Sequence, residues 1–195
     1  ISMDYGPHLE RMLAGAIRYA RKTGQEKALG DLGDPNGANG GDSSMVVAYL
    51  EAMRAGGEPK TDWLVVNCGL HDIKVDPDTE ARQVSPAEYA RNLERIADLA
   101  DEIDARLAWV RTTPVDDQRH NRLQKAFRRH NADVLDYNAA ADGILRRRGA
   151  AILDLYGFTD ALPGEVYRDH VHFTPEVCAL QGAFLAGALR TLAGA

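Results

Sequence analysis

Three short runs of apolar, often β-branched residues, each followed by a helix-patterned stretch, constrain this chain more than any other feature. Asp62 to Cys68, Arg106 to Thr113 (stopped by Pro114) and Ala150 to Tyr156 are nearly continuous in apolar residues rather than alternating. A strand of that kind is covered on both faces, which is the situation inside a parallel sheet. The segments between them carry helix punctuation. Ser85-Pro86-Ala87-Glu88 is a capping box with Pro at the first helical position, opening a helix to about Asp104. Asn131 to Arg148 is closed by Gly149, and Thr174-Pro175-Glu176 caps a helix reaching about Leu192. Residues 44 to 55 are also helix-patterned. So are 7 to 22, with Pro7 in a first-turn position and Leu9, Met12, Leu13, Ala16, Ile17 and Ala20 on one face. A weaker strand is expected near Lys27 to Leu29, followed by a Gly/Asn/Asp loop from Gly33 to Gly41. Strand and helix alternate with short connections, so the expected fold is a three-layer α/β/α sandwich around a parallel, flavodoxin-like sheet. Residues 1–195 read as one domain, since no repeat or linker interrupts them.

The composition narrows the function classes. At 195 residues the chain can bury roughly 70% of its unfolded surface in a single core, with no staple required. No apolar run approaches the roughly 18 residues of a membrane span. The net charge of −6 repels a phosphate backbone, so nucleic acid is not an expected partner. Cys68 and Cys178 stand in apolar contexts and are expected to be buried free thiols. The basic, polar stretch Gln118 to His130 reads as a solvated helix or loop, or as a lid, because it follows the carboxyl end of a strand. Compartment and oligomeric state are not written in these features.

Three clusters could carry chemistry. In Asp169-His170-Val171-His172 a carboxylate three positions ahead of an imidazole can turn back to its Nδ1 hydrogen and leave Nε2 free as a base; a surface turn would look the same. Gly69-Leu70-His71-Asp72 directly follows the first strong strand, and polar residues there project into the ligand crevice of an open α/β sheet. His71 reads equally as a hydrogen-bonded structural histidine. Gly40-Gly41-Asp42-Ser43-Ser44 stands at a helix entrance, where backbone N–H groups hold anions or a developing oxyanion and where Asp42 or Ser43 would also serve as a cap.

Together and in this order, the three clusters resemble the SGNH/GDSL hydrolases, a family of serine esterases and lipases. That family carries four blocks: Gly-Asp-Ser with the nucleophile, a Gly, a Gly-x-Asn-Asp, and Asp-x-x-His. Gly41 looks like the glycine of the second block, Gly69 to Asp72 like the third, and Asp169 to His172 like the last. The resemblance spans essentially the whole chain. It implies His172 as base, Asp169 as its orienting carboxylate, and an oxyanion hole from the Gly41 N–H and the His71 side chain, with no cofactor. His71 stands where the family usually has Asn; an imidazole N–H can donate in the same way. The first block is not in the sequence: Ile1 to Pro7 resembles the segment just after the family's serine, so the nucleophile is expected just before Ile1 and the first strand of the sheet before that. The complete sheet would then hold five strands and this chain four. Within the chain, Ser43 and Ser2 are the only stand-ins to weigh.

The function this implies is hydrolysis of a carboxylic ester, small or carbohydrate-borne, through an acyl-enzyme. Two alternatives differ in class. One is a metal-dependent hydrolase built on Asp169, His170, His172 and His71, since alternation puts His170 and His172 on one side of an extended segment. The other is a non-catalytic member binding a glycan or partner in the same crevice.

Overall fold

The computed structural model describes residues 1–30, 37–57 and 60–195. Part of the expected loop from Gly33 to Gly41 lies outside the described residues. Three strands form one parallel sheet in sequence order: β1 (Trp63–Val66), β2 (Arg106–Val110) and β3 (Ala151–Leu153). Trp63 pairs with Arg106 and Val66 with Trp109; Ala108 pairs with Ala151 and Val110 with Leu153.

Strand β2 shows why these runs are apolar on both sides. Leu107 and Trp109 enter one core with Val46, Leu50, Leu93, Ile96, Val134 and Leu145. These come from α3 (Ser43–Gly56), α4 (Pro86–Glu102) and α6 (Asn131–Arg147). Ala108 and Val110 enter the other core, with Tyr5, Leu9 and Leu13 of α1 (Ser2–Leu13) and Leu185, Ala186 and Leu189 of α8 (Pro175–Ala193). Successive side chains of one strand thus feed the two faces of a sandwich. The expected caps are present: Ser85 Oγ accepts from Glu88 N–H and Thr174 Oγ1 from Val177 N–H. Both cysteines are buried and free.

Three expectations need correction. Lys27 to Leu29 is not a strand but part of the short helix α2 (Gln25–Gly30). Its Gln-Glu-Lys-Ala-Leu run favours helix, and β1 has no strand along its outer edge among the described residues. The described sheet therefore has three strands, not four. The first helix spans Ser2–Leu13 rather than 7 to 22, with Pro7 inside it. Ala14 turns extended and Gly15 takes a left-handed φ of 79°, after which Arg21 folds back to donate to the Ser2 carbonyl and to Met3 Sδ. Tertiary bonds to the helix start override a pattern that could have continued.

Candidate active site

The three clusters converge at the carboxyl ends of the strands. Behind β1 the chain enters a turn that only glycine can begin. Gly69 has φ of 140°, and a Cβ there would sit 2.4 Å from Thr112 Oγ1. The turn is tied down by its carbonyls. Tyr89 Oη and Thr112 Oγ1 donate to the Cys68 carbonyl at 3.2 and 3.1 Å, and Arg129 Nε donates to that of Leu70 at 2.7 Å. Asp72 is fully buried and fastens this turn to the next: its Oδ1 accepts the Ser43 N–H at 2.9 Å. Burial pushes its carboxyl up to about 6, with the Ser43 hydrogen bonds opposing the shift.

The turn so fastened is Gly40 to Ser44. Gly41 adopts φ of 71°, and its N–H donates to Asn39 Oδ1 at 3.2 Å. Asp42 caps α3, accepting from Met45 N–H through Oδ1 and from Gln83 Nε2 through Oδ2. Ser43 is wholly buried, with Asn92 Nδ2 donating to its hydroxyl at 2.8 Å, so its Oγ has no open approach. Ser2 forms the first turn of α1, and its carbonyl takes the Arg21 guanidinium.

His172 comes from the loop ahead of α8. Val171 and Phe173 point into the core, which leaves His170 and His172 on the side of the crevice. Tyr167 stacks on Phe173 with centroids 5.0 Å apart and donates from Oη to the Pro114 carbonyl, pinning the loop to the end of β2. Asp169 Oδ2 lies 2.8 Å from His172 Nδ1, while Oδ1 accepts the backbone N–H groups of Val171 and His172 at 2.9 and 2.8 Å. Burial works against charge on Asp169, but the backbone donors and the His172 ring outweigh it and hold the carboxyl at about 2. On His172, burial lowers the pKa and Asp169 raises it; the net shift is downward.

His71 is on the crevice side of its turn, and its ring has no hydrogen-bond partner among the described residues. Burial, then Lys74 and Arg129, bring its pKa down to about 3, so it is a neutral imidazole. The backbone nitrogen of Ile1 lies within electrostatic reach of both His71 and His172, and His172 within reach of His71. The amino end of α1 therefore lies beside the pair.

Sequence reasoning missed what Gln118 to His130 supplies. Its helix, α5 (Asp117–Leu123), buries His120 completely, and Arg129 behind it is 3% exposed, so this stretch is not simply a solvated face. His120 Nδ1 lies 3.1 Å from His170 Nδ1. His170 is thus paired with His120 while His172 is paired with Asp169. Among the described residues no set of three or more His, Cys, Asp or Glu side chains is gathered for a metal, and Asp169, His170, His172 and His71 do not form one. A hollow of about 360 Å³ lined by Trp63, Asp101, Arg106 and Arg148 lies at the other end of the strands and holds none of these groups.

No family model matches the sequence, and the search of curated proteins gives no match. Solved structures do match. A carbohydrate acetylesterase from Sinorhizobium meliloti is 16% identical, with TM-score 0.64 over 98% of this chain and 86% of its own. A candidate SGNH hydrolase from Slackia heliotrinireducens is 22% identical, with TM-score 0.60 over 96% and 94%. A lipase/acylhydrolase from Enterococcus faecalis is 18% identical, with TM-score 0.62 over 78% and 72%. The chain shares the SGNH/GDSL hydrolase fold.

Proposed function

We propose that this chain, built on the SGNH/GDSL hydrolase fold, is a serine esterase in which His172 serves a serine at the amino end of α1, joined to Ile1. The observation that carries the reading is the 2.8 Å Asp169–His172 pair, set beside that helix end and an unpartnered His71 ring. The fold likeness to a carbohydrate acetylesterase supports a small or carbohydrate-borne acetyl ester as substrate.

The chemistry rests on these roles. The serine Oγ attacks the ester carbonyl as His172 Nε2 takes its proton. Asp169, ionised at neutral pH, fixes the ring with Nδ1–H toward it and stabilises the imidazolium. The carbonyl oxygen gains negative charge, which the His71 ring N–H, the serine N–H and the Gly41 N–H receive; Gly41 exchanges Asn39 Oδ1 for the oxyanion. His172 then protonates the leaving alcohol. Water, activated by the same imidazole, hydrolyses the acyl-enzyme, releasing the acid and restoring the serine. No step calls for a metal or organic cofactor.

The test is ester hydrolysis by the chain with a serine joined ahead of Ile1, compared with alanine at the same place. The serine form should hydrolyse 4-nitrophenyl acetate and lose that activity with His172→Ala. Equal, His172-independent rates in both forms would end the esterase reading.

A further inference from the structure

The crevice contains a buried cation that the esterase mechanism does not use. Arg129 is 3% exposed, and its guanidinium makes one hydrogen bond among the described residues, Nε to the Leu70 carbonyl at 2.7 Å. No carboxylate lies within ion-pair distance of it there, and Phe127 stacks against it with 4.8 Å from Cζ to the ring centroid. The guanidinium lies among His71, His120 and His170 and makes each of them harder to protonate. The nearby carboxylates are committed elsewhere: Asp117 to the Asn131 N–H and the His130 ring, Asp169 to His172. Beside Arg129, His120 Nε2 is buried with no partner. An isolated buried charge costs stability unless something completes it.

Its geometry selects the missing partner. With Nε engaged by Leu70, the two terminal amino groups are left side by side, the fork that meets a planar carboxylate with two parallel bonds. The imidazoles around it are neutral near pH 7, with burial, the leading cause, bringing His71 to about 3 and His120 to about 4, so the positive charge here is that of Arg129 and of Lys74, whose Nζ lies 4.8 Å from the centroid of the same Phe127 ring. We propose that Arg129 anchors an anion subsite in this crevice and that the ester taken by the protein bears a carboxylate; the second half rests on the esterase reading.

The test has two arms. In the first, acetate and succinate are titrated into the chain at constant ionic strength while the ring resonances of His71 and His120 are followed by NMR. Saturable shifts are expected, weakened at least about tenfold in Arg129→Gln and partly retained in Arg129→Lys. The absence of saturation, or equal binding in Arg129→Gln, would overturn the subsite. The second arm uses the serine-bearing enzyme and compares kcat/KM for the mono-4-nitrophenyl ester of succinate against 4-nitrophenyl acetate, and for acetylated glucuronate against acetylated glucose. The first ratio reports a carboxylate on the acyl side, the second on the alcohol side. One of them should favour the charged ester and fall about 100-fold in Arg129→Gln; two unchanged ratios would overturn the substrate assignment. Saturable binding without hydrolysis of any ester would support the anion subsite and overturn the esterase reading.

Discussion

The two walls of the crevice are built on opposite terms. On the Asp169–His172 wall nearly every polar group is spoken for. One carboxylate accepts two backbone N–H groups and an imidazole, and Arg168 reaches across to Asp4 at 3.1 Å. On the facing wall the groups best able to donate are left without acceptors: the His71 ring and the terminal amino groups of Arg129 have no hydrogen-bond partner among the described residues. In the proposed esterase the difference separates two needs. A general base must be aimed before the substrate arrives, so the protein spends its own hydrogen bonds on aiming it. A donor for charge that develops on the substrate must be held rigidly but left unpaired, so here the backbone is tied and the side chain is free.

The largest effect expected from breaking this contrast is on the paired wall. In the serine-bearing enzyme, His172→Ala should lower kcat by about 10⁴- to 10⁶-fold while leaving Tm nearly unchanged, because the ring borders the crevice rather than the core. A large fall in Tm with unchanged turnover of the folded fraction would make His172 a structural residue. Asp169→Asn should cost about 10⁴-fold by favouring the wrong tautomer.

The open wall should respond on a smaller scale. His71→Ala is expected to lose about 10²- to 10³-fold, mostly in kcat, because the bond strengthens only as charge develops. His71→Asn should recover part of that, since an amide N–H can reach the same place. Turnover per titrated active site distinguishes this from a packing role, in which both substitutions would lower stability and leave turnover of the folded fraction intact.

The smallest expected effect is on stability against pH, where the fully buried members of the two walls act in opposite directions. Burial raises Asp72 to about 6, above its unfolded value, so its contribution is complete at low pH and is lost as pH rises through about 6. Burial lowers His120 to about 4, below its unfolded value, so its penalty is absent above about 6.5 and grows as pH falls toward about 4. Between these limits the slopes oppose. Asp72→Asn should make stability rise more steeply with pH, and His120→Asn should flatten it, each by up to about 1.4 kcal/mol per pH unit. Denaturant midpoints measured across that range would show whether the slopes move in these directions.

The layers of the fold were legible because the strands are short apolar runs, most plainly β2, whose Leu107 to Val110 are buried on both faces. The helix starts at Ser85 and Thr174 were legible because a cap is a relation between residues three apart. The candidate residues Gly41, His71, Asp169 and His172 were chosen where chemistry and sequence order coincide, and the structure pairs Asp169 with His172 and brings His172 within electrostatic reach of His71. Gln118 to His130 was misread for a physical reason. Its composition is polar, yet His120 and Arg129 are buried by contacts with His170 and Leu70, each about 50 to 60 positions away in the chain. The start of α1 was missed for the same reason, since it depends on what the segment packs against, whereas the helix at Lys27 to Leu29 follows the propensity of its own residues.

The central claim is that the base on the paired wall serves a serine at the amino end of α1. Fluorophosphonate labelling of the chain with a serine joined ahead of Ile1, read by peptide mass spectrometry, tests it most directly. One adduct is expected, on that serine, with formation slowed by orders of magnitude in His172→Ala. An adduct on Ser2 or Ser43, or labelling that His172→Ala leaves unchanged, would contradict it.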